Sequence, residues 1–380
     1  MTPFESAIAV LQSTIRSHGI RYSLQRFESL LSEMGCPHHR LPRVVHVAGT
    51  NGKGSTCAYI TQALVSRGYT VGTYASPHVW SYCERLKWNG LPITEDHFVS
   101  LFERVSWAVG HATEFELLTM MAFLAFQSVD VAVIEVGIGG RLDATNVVSA
   151  AVSVITPVGL DHMALLGPDV VSIAHEKAGI IRHAPVYSAT QDPSVDSVIR
   201  QVAHRQGVSH VVVPPWPSLP ASFVMRGDYQ RQNAALAHWV VQDLLGVSVS
   251  PLDLAPAVLP GRLSMRRYHN GTVWFDGAHN AHGLQAVLAG FPEDMALSLW
   301  VGVLAQKDLV AYAAVLQSRR WRHVGVYAPD ERWHPPSAFQ GVADSVQSWR
   351  DIPEWVSGPL LVTGSFYWLA HAWQSLGQEK

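Results

Sequence analysis

Val44-Val45-His46-Val47-Ala48-Gly49-Thr50-Asn51-Gly52-Lys53-Gly54-Ser55 decides the fold of this chain. A β-branched apolar run enters a glycine-rich turn that carries one lysine and one hydroxyl, and a helical pattern follows from Thr56 to Arg67. Backbone N–H groups at a helix start face an anion, glycines allow its close approach, and a lysine adds a point charge. The stretch therefore predicts a phosphate-cradling loop between a strand and a helix. It departs from the common G-x-x-x-x-G-K-[ST] form: Val47 stands where the first glycine belongs, and Gly54 intervenes before Ser55. That departure narrows the kinds of nucleotide enzyme the chain can be.

Working outward, strands and helices alternate. Apolar positions recur at helical spacing from Ser23, the expected N-cap, to Met34, with Gly35 just past the end. Tyr69–Tyr74, Val129–Val136 and Ala150–Ile155 read as strands, and Thr113-Glu114-Phe115-Glu116 as a capping box that opens a helix running to Phe126. This alternation implies an α/β fold with a doubly wound, mostly parallel sheet. Pro251, Pro256, Pro260 and Gly261 crowd a linker-like interval, after which Thr272–Phe275, Leu297–Val303, His323–Tyr327 and Leu360–Val362 are strand-like. Two domains are expected, 1–255 with the phosphate loop and a smaller Rossmann-like α/β domain over 256–380.

Composition agrees with burial and excludes several functions. Of 380 residues, 48% are hydrophobic and 15% charged, which suits a globular chain and not a disordered one. A net charge of −3 gives no global case for nucleic-acid or membrane-surface binding. Cys36, Cys57 and Cys83 have no metal-ligand spacing and read as reduced thiols. No signal-peptide pattern opens the sequence, and no apolar run reaches the ~18 residues needed to cross a bilayer. A cytoplasmic protein is expected.

Chemistry gathers at strand ends. Lys53 is placed for β/γ-phosphates and Ser55 for Mg²⁺. Glu135 ends a buried apolar strand, where open α/β sheets hold ligands, and a carboxylate there is costly unless paired or metal-bound. Asp161-His162 follows the next strand and offers an imidazole and a carboxylate to the same edge. Lys177, near a helix C-terminus, reads by itself as an exposed lysine complementing the dipole. Asp276-Gly277-Ala278-His279-Asn280 closes a strand of the second domain, and Pro260-Gly261-Arg262 offers a guanidinium for phosphates; a plain turn and a surface arginine explain these two almost as well.

Together these segments resemble the folylpolyglutamate synthase/dihydrofolate synthase family of Mur-type amide ligases. The similarity runs through His46–Ser55, Ser76-Pro77-His78 with Glu84-Arg85-Leu86 and Asn89-Gly90, Glu135–Asn146, Gly159–His162 and Glu176–Ile180. It continues through Asp228–Asn233, Pro260–Arg262, Asp276–Asn280, Lys307-Asp308 and Gly364–Tyr367. Gln306 departs from the usual acidic residue before Lys307, and the chain is somewhat short for the family.

The resemblance implies ATP-dependent ligation of L-glutamate to dihydropteroate, to a reduced folyl-(poly)glutamate, or to both, through an acyl phosphate. It implies ATP contacts from Gly49, Thr50, Asn51, Gly52, Lys53, Gly54, Ser55, Asn233, Arg262 and Asp276. Ser55, Ser76 and Glu135 would serve one Mg²⁺; Glu135, His162 and Lys177 a second, with Lys177 as its carbamate. That reverses the exposed-lysine reading, since a hard divalent ion wants oxygen donors. A monovalent cation is an open addition. Ser76, His78, Arg85, His279 and Ser365 would hold substrates, and Gly19–Arg26 with Ser76–Asn89 would line the pterin site. Lys53, His162, Lys177 and His279 are the expected catalytic residues. The expected protein is a monomer with no nucleic-acid or membrane partner. Two alternatives stay open: a related Mur-type ligase acting on another carboxylate, and a nucleotide-switched binding protein that ligates nothing. The 42 residues ahead of Arg43 are too few for the UDP-sugar domain of a murein-precursor ligase.

Overall fold

The computed structural model describes residues 1–14, 23–268, 271–352 and 358–376. Two compact units emerge, one of residues 1–223 and 231–257, the other of 224–230 and 258–380. The expected single boundary at 255/256 contains no counterpart of the 224–230 excursion.

The first unit holds an eight-stranded sheet. Its strands are β1 (Arg43–Ala48), β2 (Val71–Tyr74), β3 (Leu86–Trp88), β4 (Leu91–Pro92), β5 (Val131–Glu135), β6 (Ala150–Ile155), β7 (Val186–Ala189) and β8 (His210–Val213), in the order β4-β3-β2-β5-β1-β6-β7-β8. All pairs are parallel except β2–β3 and β3–β4 at one edge. β2 and β5 are buried at every position, as strands covered on both faces should be, and β5 is correspondingly rich in Val, Ile and Ala. From β1 the chain moves to β2 on one side, and from β5 it crosses to β6 on the other. The strand order therefore reverses at β1, and the ligand crevice of such a sheet lies outside the carboxyl ends of the strands there. The phosphate-loop sequence leaves β1, Val136–Gly140 leaves β5, and Thr156–His162 leaves β6.

Local signals explain the helix ends. Thr113 and Glu116 form the expected reciprocal capping box at the Glu114–Ala125 helix. Ser23 differs: its backbone is extended ahead of the Leu24–Glu33 helix, but its hydroxyl donates to Gln25 Oε1 instead of capping. The helix after β1 starts at Lys53 and not at Thr56, because Gly52 takes a left-handed φ of 89° that ends the turn early.

The second unit is a six-stranded sheet of β9 (Ser264–Tyr268), β10 (Gly271–Phe275), β11 (Ser298–Val301), β12 (Val324–Val326), β13 (Val346–Ser348) and β14 (Leu360–Thr363), in the order β13-β12-β11-β14-β10-β9. Only the β9–β10 pair is antiparallel. Leu284, Leu299, Val301, Tyr312, Leu316, Val326 and Leu361 centre its core. Among the described residues, no helix is long and apolar enough to cross a membrane.

Candidate active site

The loop after β1 is built from backbone constraints. Thr50 and Asn51 donate their N–H groups to Pro157 O, and Thr50 Oγ1 donates to Gly159 O, so the loop is laced to the segment leaving β6. A Cβ on Gly49 would lie 1.8 Å from Thr156 Oγ1, and one on Gly52 2.3 Å from Asn233 Oδ1. Both positions also have positive φ, so no other residue fits. Lys53 Nζ folds back onto its own loop, donating to Gly49 O at 3.2 Å and Thr50 O at 3.4 Å. Gly54 and Ser55 are buried in the first helical turn.

Glu135 is buried at the end of β5 and accepts the Ser76 N–H at 3.0 Å. Lys177 lies in the Val170–Ala178 helix with only 5% exposure, and its Nζ donates to Gly49 O at 2.8 Å. This corrects the exposed-lysine reading taken from residues alone. Burial first, then the charge of Lys53, lowers the Lys177 amine to about 7; Asp161 and Asp143 oppose that shift. His162 takes a left-handed φ of 50° beside Asp161, whose Oδ2 is 3.9 Å from its Nε2. Among the described residues, no three His, Cys, Asp or Glu side chains form a metal-binding cluster.

Across β2, Arg85 and His78 form a second polar group. Arg85 Nε donates to His78 Nδ1 at 2.9 Å, its guanidinium lies over the Tyr82 ring, and Glu114 is 3.9 Å away. An arginine nitrogen can only donate, so Nδ1 of His78 is the unprotonated one. Burial, reinforced by Arg85, lowers His78 to about 3. Residues 19–22, part of the expected pterin-site lining, lie outside the described residues.

In the second unit, both carboxylate oxygens of Asp276 are engaged. Oδ2 accepts from Tyr229 Oη and Leu263 N, and Oδ1 from Ala278 N. Burial raises its pKa against the opposing charge of Arg262. Asp276 is thus an organiser of the Gly261–Leu263 turn, where Leu263 has a φ of 45°. The Arg262 guanidinium stacks 4.4 Å over Phe366. His279 Nδ1 is 2.9 Å from Gly277 O, and Ser365 caps the Phe366–Ser375 helix through Tyr367 N.

Two groups carried no role in the sequence. Asp143 accepts from Gly137 N, Ile138 N and Thr145, pinning the exit of β5, while Thr145 Oγ1 accepts from buried His46 Nε2 at 2.9 Å. Lys87, on β3, is 9% exposed and had no role in the sequence reading. The alternation of β3 was the only available signal, and three residues are too few to show it.

Comparison with known proteins now applies. The Mur ligase middle domain matches residues 47–213. The dihydrofolate synthase/folylpolyglutamate synthase of Bacillus subtilis is 38% identical over 308 residues, covering 70% of this chain and 71% of the relative. The chain belongs to the dihydrofolate synthase/folylpolyglutamate synthase family. A Mycobacterium tuberculosis folylpolyglutamate synthase complexed with ADP superposes with a TM-score of 0.87 at 27% identity, over 100% of both chains. E. coli FolC in complex with DHPP and ADP gives 0.83 at 30% identity, covering 97% of this chain and 96% of that one. These family structures share the two-sheet architecture described above, which supports the mixed α/β fold with parallel-dominated sheets.

Proposed function

We propose that this protein is an ATP-dependent acid–amino-acid ligase that joins L-glutamate to folates, with dihydropteroate and reduced folyl-glutamates both as acceptors. Family membership carries the ATP-dependent ligation of glutamate to folates. The observation that supports the residue roles is the Lys177–Gly49 bond, which joins the Lys177 helix to the phosphate loop.

The first unit binds ATP in this reading, through Gly49–Ser55 and Asn233; Arg262 and Asp276 are further nucleotide contacts, Asp276 by holding the Arg262 turn. Lys53 exchanges its loop carbonyls for phosphate oxygens when the nucleotide arrives. A carboxylate oxygen of the folate attacks the γ-phosphorus and displaces ADP. The amine of glutamate, held by His279 and Ser365, attacks the acyl carbon and expels phosphate. Positioning and charge neutralisation supply most of the rate in such transfers.

The donor set fits Mg²⁺. Magnesium takes oxygen ligands and is usually held by one or two carboxylates plus substrate phosphates and water, and the Glu135 carboxylate buried at the end of β5 is such a donor. Ser55, Ser76 and Glu135 would hold one ion; Glu135, His162 and carbamylated Lys177 a second. When bound, the ions neutralise the charge of the transferring phosphoryl group. A lysine amine lowered to about 7 is substantially neutral at physiological pH, and only a neutral amine adds CO₂ to become the carbamate. The protein acts in the cytoplasm as a monomer.

Steady-state ADP release tests the proposal, with dihydropteroate and tetrahydrofolate offered separately, each with and without glutamate. ADP release that requires both a folate and glutamate is expected. Release independent of glutamate would favour a nucleotide switch.

A further inference from the structure

Among the described residues, Lys87 is the strongly buried cation near the site that the roles above leave without work. Its register places it. Thr73 pairs with Lys87 on one side and with Val133 on the other, so all three project to one face of the sheet. Glu135, two residues beyond Val133, shares that face. The Lys53–Ser66 helix covers it there, since Thr61 Oγ1 lies 2.6 Å from Thr73 Oγ1. Lys87 is 9% exposed, and its Nζ meets no hydrogen-bond acceptor among the described residues. Its stem is buried while Nζ keeps some contact with solvent, and an ammonium so placed with no protein acceptor gains from an oxygen that a ligand supplies.

Two further observations say which oxygen. Glu135, Lys53 and Lys87 all act electrostatically on the buried thiol of Cys57, so all three lie near that point of the helix. In the strand order β3-β2-β5-β1, Glu135 lies between them: Lys53 follows β1, and Lys87 sits on β3, beside the Ser76–Arg85 segment. The groups acting on Lys87 are Glu84, Glu135 and Cys57. Glu84 is committed to the N–H groups of Val79, Trp80 and Ser81, and Glu135 accepts the Ser76 N–H. Burial lowers the Lys87 amine, and Glu84, Glu135 and Cys57 oppose that shift only in part.

We propose that Lys87 is a substrate-binding residue whose ammonium takes an oxygen of the folate carboxyl group that the enzyme activates. The inference rests on the folate ligase reading and deepens it. A carboxylate oxygen of the folate bonds to the γ-phosphorus while the bond from that phosphorus to the bridging oxygen breaks, releasing ADP. The glutamate nitrogen then bonds to the acyl carbon, phosphate leaves with the C–O electron pair, and the amine's surplus protons pass to solvent. Lys87 donates to the carboxyl oxygen that is not phosphorylated and takes no part in the proton transfers. Lys53 serves the nucleotide end of the same line.

Binding of pteroate and of its primary carboxamide, measured by fluorescence titration without ATP, tests the proposal directly. Wild-type protein should prefer pteroate by on the order of 10- to 100-fold, the worth of one charge-assisted hydrogen bond. Lys87→Met should bind both alike, and Lys87→Arg should keep part of the preference. In turnover, Lys87→Met should raise KM for the folate on the order of tenfold or more while KM for ATP stays within about twofold. Lys87→Gln, equally uncharged and more polar, replaces the methionine variant if that one does not fold. An unchanged pteroate preference in the uncharged variant, or a rise in KM for ATP alone, would overturn the assignment. Wild-type protein that releases no ADP with any folate would instead overturn the functional reading itself.

Discussion

Lys177 Nζ donates to the carbonyl oxygen of Gly49 at 2.8 Å, across 128 positions of sequence. The bond joins the helix after the β6 edge to the loop after β1, and a lysine amine is spent on a backbone carbonyl in a place dry enough to lower it to about 7. Energetically this is a poor use of a lysine, since desolvating an ammonium costs more than one neutral hydrogen bond returns. Strain of this kind concentrates at working sites, where stability is given up for chemistry.

Lys177→Met should therefore cost activity without costing stability. ADP release is expected to fall at least about 100-fold, in the range set by losing one preorganised electrostatic group. The melting temperature should hold or rise, because methionine fills similar volume without a buried amine. Unchanged turnover would remove Lys177 from the site. If the amine works as its carbamate, wild-type activity should also fall in CO₂-depleted buffer and return with bicarbonate, while Lys177→Met responds to neither.

Gly49→Ala places a Cβ 1.8 Å from Thr156 Oγ1 at a φ of 146°. The loop must shift, and its ties to Pro157 must break or lengthen. Destabilisation of at least ~2 kcal/mol in urea unfolding is expected from overpacking plus backbone strain, with ATP affinity lost in parallel. Gly68→Ala is the control: its φ is also positive, but nothing lies within 4 Å of the added Cβ, so about 1 kcal/mol and normal ATP binding are expected.

Arg85 holds His78 neutral only in part, since burial is the larger cause and the guanidinium the smaller. Arg85→Ala should raise the His78 pKa above its present value of about 3, yet leave it below the ordinary 6.5. Histidine-resolved NMR titration reads this shift. A His78 that titrates at its ordinary value in the variant would show that burial contributes little.

Buried neutral histidines also set the acid limit of the fold. His46, lowered to about 3 by burial and then by Arg182, stays neutral in the folded chain, while the unfolded chain protonates it near 6.5. The unfolded state binds more protons between these values, so stability falls as pH drops from about 6.5 toward 3, by on the order of a few kcal/mol from this residue. His38, lowered to about 4, adds to the same slope. Denaturant midpoints from pH 7 to 4 should decline, and less steeply in His46→Gln. A flat profile would contradict the assignment.

Much of this was legible in the sequence, for definite reasons. The β1 loop is a local structure, in which glycines and one lysine within a few residues of each other report their own backbone demands. Val-Ile-Glu at the end of β5 was legible because a carboxylate in an apolar run violates burial and so signals itself. The environment of Lys177 was hidden, because helical spacing cannot tell whether the face it occupies is covered by another helix or by a loop. Lys87 was hidden for a related reason, being buried by the Lys53–Ser66 helix packed over a three-residue strand. The strands at 186–189 and 264–268 and the short strands toward the sheet edges were missed because their alternation is weak and their pairing partners supply the order. The turn held by Asp276 was hidden too, because short polar residues at a strand end do not show in sequence which backbone N–H groups they accept.

The ADP-release assay on the wild-type protein tests the central claim most directly, with dihydropteroate and tetrahydrofolate offered separately beside ATP, Mg²⁺ and L-glutamate. The account predicts stoichiometric ADP, phosphate and glutamylated product with both folates, and no sustained ADP release when either the folate or glutamate is withheld. ADP formation that ignores the folate, or no reaction with either one, would contradict it.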